Sequence, residues 1–407
     1  MTKALFGLPE QVVFCKRCVI SNQRPNSTVE FKNVKDEEKA TINFDEDEIC
    51  DACRYQDSKA SNIDWKKRED ALKSLCDLHR NNNGDYDVIV PGSGGKDSAY
   101  ASHVLKYKYG MNPLTVTWAP HKYTEIGWKN FENWIHEGGL DNILFTPNGK
   151  LHRYLTKEAF TNLLHPFQPF IVGQRIIGPM MAAKFNVKLV FYGENQAEYG
   201  NNVDENYTPT MDKKFFSVDD PMDIMLGGKS IRDIISETDF KLNDFKPYIP
   251  PKAEYLESKG IEVHYLGYYL PWDPQECYYY ATENTGFQSN SERTEGTYSK
   301  YSSIDDKIDM FHYLTTLVKF GIGRATYDAA QEIRNNKITR EEGVQLVRKF
   351  DQEFPNKYFK DFLEYISLSE TEFHNILDQF RSPHLWEKID GEWVLKHAVW
   401  HNQKRLK

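Results

Sequence analysis

Short apolar runs and amphipathic stretches alternate through residues 86–192. Tyr86–Val90 is an apolar run, and Asp97–Tyr109 carries apolar residues at helical spacing. Leu114–Trp118 is the next run, followed by an amphipathic stretch over Glu125–Glu137. Asn142–Thr146 comes next, then helical patterns over 151–164 and 173–184, then the run Lys188–Tyr192. A further strand is predicted near Ile261–Leu266. Strand–helix repetition of this kind predicts an α/β fold, a doubly wound parallel sheet with helices on both faces. Such sheets bind ligands beyond the carboxyl ends of their strands.

The flanks have other patterns. Residues 64–80 have helical periodicity and end in a loop at Asn81–Gly84. Residues 206–250 are irregular and rich in Asp and Pro, around Gly227-Gly228, which suits a lid or a partner-binding loop. Residues 267–304 are dense in Tyr, Ser, Thr and Glu and are predicted as loop. The last hundred residues are mainly helical by pattern, with helices at Ile304–Phe320, Thr326–Asn335 and Thr339–Phe350 and a closing turn at Ile389–Glu392.

Length and charge narrow the function. At 407 residues the chain has room for two or three domains. A net charge of −9 argues against a large nucleic-acid surface. No apolar run reaches the roughly 18 residues of a membrane span, and no secretory signal opens the chain, so a cytoplasmic location is expected.

Four of six cysteines form two pairs, Cys15-x-x-Cys18 and Cys50-x-x-Cys53. Together they suit one tetrahedral structural zinc ion. Free thiols and an iron–sulfur cluster are the alternatives. The 31 residues between the pairs predict an insert, and the acidic stretch 35–48 fits one. Cys76 and Cys277 stand alone and suit buried packing.

The turn after the first strand carries the most specific chemistry. It is Ser93-Gly94-Gly95-Lys96-Asp97-Ser98. Backbone N–H groups at such a turn, opening a helix, hold anions. Gly94 and Gly95 would let backbone approach a phosphate, Lys96 adds charge, and Ser98 adds a hydroxyl. A Walker A loop, G-x-x-x-x-G-K-[S/T], is excluded: its first Gly falls on Val90, and Asp97 follows Lys96. A G-x-G-x-x-G fingerprint from Gly92 fails at Asp97. The remaining pattern resembles the pyrophosphate loop of the N-type ATP pyrophosphatases, which split ATP into AMP and pyrophosphate. The plain alternative is a βα turn without a ligand.

Two further stretches suit the same nucleotide. Gly193-Glu194-Asn195-Gln196-Ala197-Glu198 ends the fourth strand, and in a doubly wound sheet it lies near the first turn. Glu194 and Glu198 suit magnesium bridging ATP phosphates, with solvated acids as the alternative. In Lys319-Phe320-Gly321-Ile322-Gly323-Arg324, two cations flank two glycines. Lys319 and Arg324 suit polyphosphate, with a glycine helix cap beside a surface Arg as the alternative.

Together the loop, the paired cysteines and three long strings resemble the N-acetyl sugar amidotransferases, bacterial enzymes of acetamidino-sugar biosynthesis for O-antigen and for pseudaminic or legionaminic acid glycans. The strings are YGENQAEYGN at 192–201, LGYYLPWDPQECYYYA at 266–281, and KYSSIDDKID with KFGIGRATYDAAQEIR across 300–334. The resemblance implies conversion of an acetamido to an acetamidino group through an adenylated intermediate. It implies Ser93, Gly94, Gly95 and Ser98 on pyrophosphate, Lys96 neutralising it, Asp97 on magnesium, and Trp118 near adenine. The second turn, Gly193, Glu194, Asn195 and Glu198, joins the ATP and magnesium site. Lys319 and Arg324 join Lys96 and Asp97 as catalytic candidates. The implied partners are a glutaminase and a cyclase-like barrel protein that supply ammonia, since neither Cys76 nor Cys277 sits in a nucleophile turn. The expected division is a zinc-binding four-cysteine module at 1–63, an ATP pyrophosphatase domain at 64–205, and a helical substrate- and partner-binding region at 206–407. The rival readings are a tRNA-modifying enzyme with the same loop and a non-catalytic nucleotide-binding zinc scaffold.

Overall fold

The computed structural model describes residues 4–81, 83–194, 196–199 and 208–401. Two helices precede the sheet, α1 (Asp51–Ser61) and α2 (Trp65–His79). The alternating region then runs β1 (Val88–Pro91), α3 (Lys96–Tyr107), β2 (Pro113–Trp118), α4 (Glu125–His136), β3 (Asp141–Phe145), α5 (Gly149–Leu163), α6 (Gln168–Phe185) and β4 (Leu189–Tyr192). After a small hairpin, β5 (Met225–Leu226) and β6 (Lys229–Ser230), come α7 (Ile231–Glu237), α8 (Ala253–Ser258), β7 (Glu262–Tyr265) and α9 (Leu266–Tyr269). The chain continues with α10 (Pro274–Thr285), α11 (Asp309–Phe320), α12 (Arg324–Arg334), α13 (Arg340–Phe350), α14 (Phe359–Ile366) and α15 (Glu370–Gln379). The hairpin β8 (Trp386–Ile389)–β9 (Glu392–Leu395) turns at the predicted Asp390-Gly391.

The main sheet has the order β3-β2-β1-β4-β7, and every pair is parallel. Its winding reverses between β1 and β4. The turns after those two strands therefore open at the same place, where such sheets bind ligands. Side chains alternate between two buried faces. Ile89, Leu114, Val116, Trp118 and Val190 pack toward α5, α6 and the C-terminal helices. Val88, Val90, Leu189 and Phe191 pack toward α2, α3 and α9. Cys76 is buried in this second cluster.

One predicted loop contains a helix. Residues 267–304 include α10, started by Pro274 and capped by Asp273, whose side chain accepts from Gln275 N and Glu276 N. The run of tyrosines that follows, Tyr278–Tyr280, hid the Asp-Pro start signal. In the cysteine-rich module, Cys50 is the N-cap of α1, so the second cysteine pair lies on a helix start. Conversely, α11 starts at Asp309 rather than Ile304, and residues 304–306 pack against the start of α4 instead, where Thr124 N donates to Asp305 O at 3.1 Å.

Apolar contacts cross the expected boundaries. The cysteine module shares one core with α12 and α13, through Ile20, Ile42, Ala330 and Val347. Phe160 of α5 stacks on Phe373 of α15 at 5.2 Å.

A candidate nucleotide site at the crossover

A cavity of about 540 Å³ opens beyond the carboxyl ends of β1 and β4. From the predicted set it is lined by Ser93, Gly94, Gly95, Lys96, Asp97, Glu194 and Arg324. The turn is shaped by close packing. Gly94 has φ +84°, and a Cβ there would stand 2.8 Å from Phe131 Cα on α4. A Cβ on Gly92 would lie 2.2 Å from that of Ser98. Gly95 is different. It is the N-cap of α3 at φ −66°, ψ 162°, and its Cβ would meet only Ser93 Oγ, at 3.6 Å. Backbone conformation demands glycine at Gly94 and not at Gly95.

Lys96 and Asp97 sit at the first turn of α3. Lys96 Nζ lies 2.5 Å from Asp97 Oδ2. Burial opposes the Lys96 charge, but the Asp97 carboxylate beside it holds its pKa above the ordinary value. Asp97 Oδ1 is buried and has no hydrogen-bond partner among the described residues. An orphaned carboxylate oxygen facing a cavity suits a cation or a donor from a ligand. Across the crossover, burial and repulsion from Asp97 raise the pKa of Glu194. Two acids facing each other in this way suit a shared divalent cation.

Sequence reasoning missed the opposite wall. Arg175 of α6 lines the cavity near Glu194, and Asp305 and Asp309 line it from the approach to α11. Arg175 belongs to no motif, and Asp305 and Asp309 lie in the string KYSSIDDKID, which by itself gave neither a role. The packing of residues 304–306 on α4 brings the two acids there: a Cβ on Gly127 would clash with Asp305 Cα at 2.5 Å. Burial raises the pKa of Asp305, helped by Asp306. Burial also pushes Asp309 up to about 7, against the opposing pull of Arg324. Its proton is therefore held more tightly in the folded chain. The stabilisation is complete below the ordinary value of 3.8 and is lost as pH rises toward about 7. Asp309→Asn is expected to flatten the fall in melting temperature across that window, measured by thermal scans at stepped pH.

Several predicted residues lie elsewhere. Trp118 is core, not an adenine platform: it is 2% exposed, with Phe145 and Tyr248 each 5.3 Å away. A Cβ on Gly173 would stand 2.1 Å from its ring. Ser98 donates its hydroxyl to Gly95 O at 3.0 Å and does not line the cavity. Glu198 is buried against Lys59 Nζ at 2.7 Å, which replaces the expected metal contact. Lys319 donates to Leu163 O at 2.8 Å and lines a separate space of about 170 Å³, so its side chain does not reach the cavity. Burial pushes its pKa down to about 7. Arg324 does line the cavity, and its guanidinium pairs with Asp328 at 3.1 Å. Gly193 packs under Trp272, whose ring a Cβ would meet at 2.9 Å. Asn195 lies outside the described residues.

The four paired cysteines converge. All their sulfurs lie within 4.8 Å of one another, with Cys15–Cys53 at 3.9 Å and Cys18–Cys50 at 3.7 Å. A tetrahedral ion with bonds of about 2.3 Å gives sulfur–sulfur edges of about 3.8 Å. A cubane cluster interposes its own iron and sulfide and would hold the thiolates farther apart. The spacing fits one zinc-like ion.

The family model for LPS biosynthesis protein WbpG-like, C-terminal domain, matches residues 295–400. No curated protein matches the chain. Among solved structures, the U34-tRNA thiolase NcsA from Methanococcus maripaludis, with its [4Fe-4S] cluster, is 12% identical. That match covers 77% of this chain and 86% of the thiolase, with a TM-score of 0.33. NMN synthetase from Francisella tularensis is 14% identical over 68% of this chain and 94% of its own, with a TM-score of 0.28. The NH3-dependent NAD synthetase from Campylobacter jejuni subsp. jejuni NCTC 11168, in complex with the nitrate ion, is 18% identical over 34% of this chain, with a TM-score of 0.27. This chain spans 59% of that synthetase. Among the described residues, no helix is long and apolar enough to cross a membrane. Through residues 295–400, which contain the strings KYSSIDDKID and KFGIGRATYDAAQEIR, the chain is similar to the WbpG-like proteins of LPS biosynthesis, in line with the family that those strings suggested.

Proposed function

We propose that the chain is a cytoplasmic ATP-dependent amidotransferase of surface-glycan biosynthesis, which converts a sugar acetamido group to an acetamidino group with ammonia from a partner glutaminase and a barrel protein. The observation that carries this reading is the 93–98 turn at the β1/β4 crossover, with Lys96, Asp97 and Glu194 facing one cavity.

The chemistry follows from a poor electrophile. Ammonia cannot expel oxide from an amide carbon, so the amide oxygen first attacks the α-phosphorus of ATP and pyrophosphate leaves. Charge then gathers on the leaving oxygens, where donors already in place lower the barrier. The N–H groups opening α3 take those oxygens, and Lys96 neutralises them. Asp97 and Glu194 would hold Mg2+, which would offset phosphate charge during that departure. Arg175 and Arg324 border the same space and suit the remaining phosphate. Ammonia adds to the activated carbon, and AMP leaves with the former amide oxygen. Asp309, ionising near neutrality, is suited to take the proton that the incoming nitrogen gives up. The four cysteines would hold a structural zinc ion.

The test supplies purified chain with ATP, Mg2+, ammonium and a panel of diacetamido sugars. AMP, pyrophosphate and a product lighter by the exchange of oxygen for NH are expected. Ammonium should support turnover, whereas glutamine should not, because neither remaining cysteine is placed as a nucleophile. Cys277 is buried, and that burial raises its thiol pKa well above the ordinary value. Turnover of the isolated chain on glutamine would overturn the partner assignment; no AMP with any acetamido sugar would overturn the reaction.

A further inference from the structure

The cysteine module touches the nucleotide turn through a buried polar path. Lys59, on the helix that Cys50 and Cys53 open, places Nζ 2.7 Å from Glu198 Oε1 and 2.9 Å from Trp272 O. Trp272 in turn packs on Gly193. From the other side, Arg334 of α12 donates through Nη2 to Glu198 O at 3.0 Å. Arg334 is buried beside Cys18, Cys50 and Cys53. Its neighbour Arg340 binds the carbonyls of Cys18 and Cys15 at 3.1 and 3.2 Å.

Charge explains why an arginine stands there. A divalent ion on four thiolates is a dianion, and a buried dianion needs a cation close by. Arg17 pairs with Asp57, and Arg54 pairs with Asp51, so these two rim cations are already matched. Arg340 is bound to carbonyls. Among the described residues, Arg334 is the buried guanidinium that donates to the turn after β4 from a helix whose Ala330 and Ile333 pack in the cluster of the four cysteines, where the sulfurs favour its charge.

We propose that Arg334 is a positioning residue that balances the charge of the four-cysteine metal centre and anchors the turn after β4, so that metal state and nucleotide affinity are coupled. Lys59 is the second link, tying α1 to the same turn. This rests on the nucleotide reading of the cavity and on metal at the four cysteines. Coupling is reciprocal: metal raises ATP affinity, and ATP perturbs the metal centre.

The experiment loads the full chain with cobalt(II) in place of zinc and records its thiolate absorption bands while titrating ATP with Mg2+. Band positions should shift at saturating ATP in the wild type and stay fixed in Arg334→Gln. Arg334→Lys should recover part of the shift. ATP Kd should rise roughly tenfold both in Arg334→Gln and in the metal-stripped wild type, with no further rise when the two are combined. A purely structural role would leave the cobalt bands insensitive to ATP. Unchanged wild-type bands at saturating ATP, or an ATP-induced shift that persists in Arg334→Gln, overturns the coupling. Should Arg334→Gln fail to fold, Lys59→Met tests the same path, with a smaller shift and weaker ATP binding expected and wild-type behaviour overturning it. Absence of cobalt–thiolate bands overturns the metal premise, and absence of ATP binding overturns the nucleotide premise; either removes the coupling with it.

Discussion

Lys96→Ala is expected to lower ATP-to-AMP turnover by about 10²–10³-fold, the usual cost of removing one preorganised charge from a departing anion. The chain should still fold, because the Lys96 ammonium faces the cavity and its ion-pair partner is the adjacent Asp97. Pyrophosphate release with ammonium and the competent sugar measures the loss, and a thermal scan checks the fold. The variant also frees Asp97, so Mg2+ affinity should not fall with turnover. Full turnover by a folded Lys96→Ala would show that pyrophosphate leaves somewhere other than the 93–98 turn.

Gly94→Ala should destabilise the chain by about 3 kcal/mol, whereas Gly95→Ala should change stability by less than about 0.5 kcal/mol. The difference follows from geometry. At Gly94 the backbone has φ +84°, and the new Cβ meets main-chain atoms of α4 that no rotamer can move. At Gly95 the backbone is extended, and the methyl would point into the cavity. Gly95→Ala should therefore weaken ATP binding in a stable protein, and Gly94→Ala should lower the urea midpoint. Equal midpoints for the two variants would contradict the turn conformation described above.

These two glycines also show what a sequence exposes. β1, β2 and β4 were legible because both of their faces are buried, which writes each as a short apolar run. The strand order was not, since no local pattern says that β4 returns beside β1; side-by-side placement came only from the doubly wound expectation. Trp118 shares its face with Leu114 and Val116 by simple alternation, so period two already assigned it to the core. Position at a strand end outweighed that signal. Glu198 meets Lys59 across 139 positions, and nothing near either residue advertises the other. Lys319 carries a charge that usually marks a surface, yet its ammonium finds the carbonyl of Leu163. Arg175 reaches the cavity by helix docking and stands in no motif, while Asp305 and Asp309 stand in the string KYSSIDDKID, which pointed to a family and not to this cavity.

The far wall of the cavity, with Asp305 and Asp309, has a consequence for assembly during synthesis. The 93–98 turn emerges early, while the acids opposite it and α12 belong to the last third of the chain. Until those helices arrive, the aromatic face that Phe160 offers to Phe362 and Phe373 stays bare. Contacts so distant in sequence close slowly and leave apolar surface open to other chains in the meantime. A ribosome-bound fragment ending before α11 should therefore hold a formed sheet with a sticky flank and bind nucleotide poorly. The cavity is therefore complete only once α11 and α12 have been made and have packed.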